Sequence, residues 1–86
     1  MINKTTKFNL KEIESEMIRD DLNKVIRALE ERGYNPVAQL AGYIKSNDPA
    51  YITAHGNARN LIQQFDSYEF LEELIRYYVE SWKNER

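Results

Sequence analysis

The stretch Ala28-Leu29-Glu30-Glu31-Arg32-Gly33-Tyr34-Asn35-Pro36-Val37 stops one helix and starts the next. Gly33 has no Cβ and enters the left-handed region freely, the conformation that commonly ends a helix. Asn35 can cap a new helix through its side-chain oxygen, and Pro36 suits the first helical position, where no N–H is needed. Upstream, Ile18, Leu22, Val25, Ile26 and Leu29 recur at helical spacing and predict a helix from about Glu16 to Arg32, with Ser15 as its N-cap. Downstream, Val37, Leu40, Ala41 and Ile44 predict a second helix to about Lys45.

The same punctuation recurs along the chain. Ser46-Asn47-Asp48-Pro49 is another stop and restart, with Asp48 as cap and Pro49 at N1. The restart, Pro49 to Thr53, reads as one short helical turn. Gly56-Asn57 breaks it, and Asn57 is placed to cap a helix over Ala58–Phe65 carrying Leu61, Ile62 and Phe65. Asp66 or Ser67 then opens the longest helix, to about Lys83, with Phe70, Leu71, Leu74, Ile75, Tyr78 and Trp82 as its buried face. No strand alternation of useful length appears, so the class is all-α. Residues 14–86 form a single helical domain. Residues 1–13 have no helical apolar period and read as a flexible N-terminal tail, although Phe8 and Leu10 alternate and also suit a short extended piece.

The composition narrows the function. With 86 residues the chain is one domain, of a size that buries only about 60–65% of its unfolded surface. A dimer interface is a natural way to add buried area. Cysteine is absent, which removes disulfides, thiolate catalysis and Cys-type zinc sites. No h-region of a signal peptide and no run of about 20 apolar residues is seen, and the expectation is a soluble, cytoplasmic protein. The net charge of −2 lacks the basic excess that phosphate neutralisation demands of nucleic-acid binders. From Gly33 to Tyr68 the only charged residues are Lys45, Asp48, Arg59 and Asp66. A charge-poor centre between charged helices reads as core or as a partner interface.

Catalytic constellations are not apparent. His55 is the single histidine, and the plain reading is a loop residue that hydrogen-bonds locally. Gly33, Gly42 and Gly56 belong to no phosphate-binding pattern. The acidic clusters at Glu12, Glu14 and Glu16, at Asp20-Asp21, and at Glu69, Glu72 and Glu73 read as solvated helix faces and not as a carboxylate metal site. Tyr34, Tyr43, Tyr51, Tyr68, Tyr77 and Tyr78 lack basic interleaving, which favours core or interface packing over base stacking. No catalytic residue, metal ligand or cofactor site is assigned. The helix–turn–helix around Gly33 also invites a DNA-reading alternative, but its second helix offers only Gln39 and Lys45 to a duplex.

Several blocks carry a family resemblance. Ala28–Val37 resembles A-L-E-E-K-G-Y-N-P, and Gln39-Leu40-Ala41-Gly42-Tyr43-Ile44 resembles Q-I-V-G-Y-L. Asp48-Pro49-Ala50-Tyr51-Ile52 matches D-P-A-Y-I, while His55, Ala58-Arg59 and Ile62 follow H-x-x-A-R-x-x-I. Leu71-Glu72-Glu73-Leu74 resembles I-E-E-L. These are motifs of the IreB and ReoM family, small helical proteins of Gram-positive bacteria. The resemblance implies a compact five-helix fold, a homodimer and a tail threonine phosphorylated by a membrane Ser/Thr kinase with cell-wall-sensing repeats. It also implies that the unmodified form promotes Clp-dependent degradation of the enolpyruvyl transferase that starts peptidoglycan synthesis, and that phosphorylation relieves this. The tail block T-M-x-F aligns with Thr5-Thr6-Lys7-Phe8. It maps the phospho-acceptor to Thr5, with Thr6 as the rival. The resemblance also brings Arg59, with Tyr51 and His55 close by, to a partner surface, against the plainer reading that Arg59 pairs locally. Thr53-Ala54 stand where the family usually has Pro-Arg, and Gln63 and Gln64 where it carries basic residues, so the basic surface is thinned here.

Overall fold

A computed structural model describes residues 9–85 of the chain. Among them the architecture is all-helical. Helix α1 spans Leu10–Glu31, α2 Pro36–Ser46, α3 Ala58–Ile62 and α4 Ser67–Asn84, with 3-10 turns at Pro49–Tyr51 and His55–Asn57. Four α-helices thus stand where five helices were expected. Asp48 and Pro49 do start a helical turn, and Asp48 Oδ1 accepts the Ala50 N–H at 2.9 Å. The chain then turns extended at Ile52 and drives that side chain fully into the core.

Local chemistry explains most boundaries. Asn9 Oδ1 accepts the Lys11 and Glu12 N–H groups at 3.0 and 3.3 Å, so α1 opens at Leu10. Residues 10–13 are therefore helical and not part of a tail, and Ser15 lies inside the helix instead of capping it. Leu10, Ile13 and Met17 hold helical spacing there, but they are exposed and lie off the buried stripe of Ile18, Leu22 and Leu29 that marks the rest of the helix. At the other end Gly33 takes φ +80°. There Tyr34 N–H donates to the Leu29 carbonyl at 2.9 Å and Gly33 N–H to that of Glu30 at 3.0 Å, which is the Schellman pattern. Asn35 Oδ1 caps α2 by accepting from Val37 and Ala38 N–H at 2.9 and 3.2 Å. The Glu69 side chain accepts the Asp66 N–H at 3.0 Å and fixes the start of α4.

Helix α3 departs from expectation. It ends at Ile62, short of Phe65, and Asn57 does not cap it. Gly56 and Asn57 are consecutive left-handed residues, with φ 62° and 63°. That turn aims Asn57 Oδ1 at the Asn60 side-chain amide, 2.8 Å away, instead of at the helix N–H groups.

Helix α1 is the spine of the core. Its Ile18, Leu22, Val25, Ala28 and Leu29 meet Leu40 and Tyr43 of α2, Ile52, Ala58 and Ile62, and Phe70 of α4. Phe65 and Phe70 pack edge to face with ring centres 5.9 Å apart, and the buried Tyr43 hydroxyl donates to the Ile62 carbonyl at 3.3 Å.

The expected inner faces of α2 and α4 are partly overturned. In α2 Tyr43 is buried, while Val37 and Ala41 are exposed. In α4 Phe70 is fully buried, but Ile75, Tyr78 and Trp82 are 54%, 69% and 48% exposed. The line that α4 turns inward runs through Phe70 and Glu73. At about 100° per residue, the stripe Leu71–Ile75–Tyr78–Trp82 lies more than a quarter-turn away from it. Packing chose one side of an amphipathic helix, and the apolar stripe was left outside.

Candidate partner surface

Tyr51, His55 and Arg59 all lie on the segment from Pro49 to Ile62, and the structure shows what holds each. The Tyr51 ring sits on Gly42 of α2 so closely that a Cβ on Gly42 would come within 2.5 Å of two ring carbons. Only glycine admits that approach. The Tyr51 carbonyl accepts from Gln39 Nε2 at 2.8 Å. Gln39, one of the two residues weighed as a base reader, thus has its amide engaged within the protein. His55 bridges to the end of α1, with Nε2 2.8 Å from Glu31 Oε1 and Nδ1 3.3 Å from Arg32. Arg59 is exposed, and its Nε donates to the Ile52 carbonyl at 2.8 Å. The three residues are therefore gathered on one stretch, each tied down locally. Arg59 combines a structural contact with an outward position. Thr5 and Thr6 lie outside the described residues.

A second cluster escaped the sequence reading. Glu73, taken there for part of a solvated face, is 1% exposed. Its carboxylate accepts Ser15 Oγ at 2.7 Å and Arg76 at 2.8 Å on Oε1, and Arg19 Nε on Oε2. Arg19 also reaches Glu80 at 3.3 Å and stacks over the Tyr77 ring at 5.7 Å. Burial alone would raise the Glu73 pKa, but the hydrogen bonds from Ser15 and Arg19 and the charges of Arg19 and Arg76 outweigh it and hold the carboxyl below the usual range. The network ties the first half of α1 to α4. Its one sequence signal is position: Glu73 follows Phe70 by three residues and so shares its helical face.

Helix α1 carries a buried acid of the opposite kind. Asp21 is 7% exposed, and its Oδ2 has no hydrogen-bond partner. Burial pushes its pKa up, the neighbouring Asp20 adds to this and Lys24 opposes it.

Two of the grooves along α4 differ in character. One, of about 480 Å³, is polar and runs between the start of α1 and α4, over Glu12, Glu16, Arg19, Glu69, Glu72 and Arg76. The other, of about 500 Å³, is apolar and is formed by Ile26 of α1, Val37, Leu40 and Ile44 of α2, and Leu71 and Leu74 of α4. The exposed stripe of α4 continues from the apolar groove toward the C-terminus. Among the described residues no group of three or more acidic or histidine side chains is gathered as a metal site. None of the helices is long and apolar enough to cross a membrane. The arrangement offers contact surfaces, and the comparison with known families agrees with it: the sequence model of the IreB regulatory phosphoprotein family matches residues 3–80, nearly the whole chain, and the protein belongs to that family.

Proposed function

We propose that this protein is a kinase-controlled regulator that acts through protein–protein contacts and not through catalysis. In this reading a membrane Ser/Thr kinase phosphorylates Thr5, with Thr6 as the rival acceptor. The unmodified protein, a cytoplasmic homodimer, promotes Clp-dependent turnover of the enolpyruvyl transferase that begins peptidoglycan synthesis. Phosphorylation relieves that effect. The observation that carries the reading is the family match over residues 3–80, which includes the Thr5-Thr6-Lys7-Phe8 block. The charge arithmetic supports a switch. Lys4, Lys7 and Lys11 give the first eleven side chains a formal +3, and a phosphate of about −1.5 to −2 brings that segment close to +1. Such a change can release a basic segment from an acidic surface or dock it on an arginine.

Mapping the phosphate by mass spectrometry after incubation with the kinase tests the acceptor, and transferase abundance in cells tests the output. Thr5→Ala is expected to lose phosphorylation and to keep transferase levels low whether or not the kinase is active. A Thr5→Ala protein phosphorylated as fully as wild type would sink the assignment. Arg59→Ala, if folded, is expected to raise transferase levels toward those of a strain lacking the protein. Unchanged levels would remove Arg59 from the partner surface.

A further inference from the structure

We propose that Asp21 is a built-in loosener of the seam between α1 and α3, so that the segment from Ile52 to Ile62 opens from α1 more readily than its apolar packing alone would allow. Helical geometry puts Asp21 on one line with Val25 and Ala28. Ala28 faces the 3-10 turn before α3, for its Cβ lies 3.5 Å from where a Cβ on Gly56 would stand. Ser15 and Arg19, which engage α4, sit on another side of α1. Asp21 therefore points at the seam, where Val25, Ala28, Ala58 and Ile62 are all buried.

Lys24 offsets the charge of the carboxylate only in part, and no donor reaches its Oδ2. On its own helix Asp20 repels it, and Lys24 pairs with Asp20 at 3.0 Å. On α3 the charged residue is Arg59, whose Nε is held at the Ile52 carbonyl. On the preceding turn His55 is held by Glu31 and Arg32. Ahead of α4, Asp66 is a further negative charge, and on α4 Glu73 and Arg76 bond each other and, through Glu73, Ser15 and Arg19. A buried acceptor without a donor carries its desolvation cost in full. When the segment lifts away, water reaches Asp21 and that cost vanishes, so the carboxylate favours opening. What holds the segment is its apolar packing and not its own hydrogen bonds. Helix α3 has only five residues, too few to be stable by its own hydrogen bonds, and it starts from two consecutive left-handed residues. The sign with pH follows. Protonated Asp21 is quiet, and the loosening grows as pH rises through the carboxylate range.

The test is native-state hydrogen exchange on the full-length protein at neutral pH, with thermal unfolding alongside. Asp21→Asn and Asp21→Leu are each expected to slow exchange at the Ala58–Ile62 amides roughly fivefold or more. Each should also raise Tm by about 4 °C or more, with the gap from wild type shrinking in acid. Asp20→Asn, the exposed neighbour, is expected to leave α3 exchange unchanged. Exchange in both Asp21 variants at the wild-type rate or faster would overturn the proposal. So would a lower Tm, a failure of both to fold, or a slowing spread evenly over all four helices. The behaviour of the seam is independent of which partner the segment meets.

Discussion

Two buried acids show how one chemical group, the carboxylate, takes opposite roles. Glu73 is surrounded by donors and cations, and Asp21 is not. Removing one side of a buried ion pair costs about 3–5 kcal/mol, because the remaining charges lose their compensation. Part of Arg19 and Arg76 stays in water, with side chains 40% and 42% exposed, which places the expected loss at the lower end of that range. Glu73→Gln is expected to lower stability by about 3 kcal/mol at neutral pH, measured by denaturant unfolding. The pH dependence follows from its depressed pKa. The stability Glu73 supplies is present above the usual glutamate range and is lost as pH falls through its lowered folded-state value. The gap between wild type and Glu73→Gln should therefore narrow in strong acid. A gap of equal size at both pH values would mean that the ionised carboxylate is not what stabilises the pair of helices.

At the scale of elements, the contact between α2 and the Pro49–Tyr51 turn decides why residue 42 is glycine. Alanine would gain about 0.8–1 kcal/mol in helix propensity. Its Cβ, however, would stand 2.5 Å from the Tyr51 ring, so the ring must move. Overpacking of this kind typically costs about 1–3 kcal/mol. Gly42→Ala is expected to destabilise by about 1 kcal/mol net, and in a Tyr51→Ala background the same change should turn neutral or stabilising. A double-mutant cycle by thermal unfolding reads the sign directly. Equal effects in both backgrounds would show that Tyr51 and Gly42 are not coupled. The caps at this scale were legible beforehand. Gly33, Asn35-Pro36 and Asp48-Pro49 act through bonds to residues two to five positions away, so composition alone locates them. The start of α1 was missed, because Asn9 opens a turn whose Leu10 and Ile13, spaced with Met17, face solvent and lie off the buried stripe that marks the helix.

At the scale of the molecule, the charge-poor centre divides between core and surface. Leu40, Tyr43, Ile52, Ala58 and Ile62 are inside, while Val37 is 77% exposed beside the apolar groove. That groove and the stripe through Ile75 and Tyr78 make one continuous apolar face, the kind of surface that monomers rarely leave large and open. A second copy is the occupant proposed for it, packed about a two-fold axis so that the same patch serves both sides. Ile75→Asp combined with Tyr78→Asp is expected to give monomers by light scattering at micromolar concentration while helical content stays unchanged. Trp82, the only tryptophan and 48% exposed, lies on the same stripe, so its emission should shift to the red in that variant. A wild-type protein that is monomeric at the same concentration would remove the dimer from the functional reading.

What the sequence by itself determined is the all-helical class, the place of the four α-helices with most of their ends, the apolar line of α1 and the family. These depend on dihedral preference, capping and period, which act over a few residues. What only the tertiary structure decided is rotation and partnership. The rotation of α4 exposes its apolar stripe and buries Glu73, whose Ser15 partner is 58 positions away in the chain. Ile52 becomes core from a stretch too short to show a period, and Asp21 is buried without a donor beside a five-residue helix. Each of these outcomes rests on contacts between distant segments, where the free energy lies in fitting surfaces together and not in any local pattern.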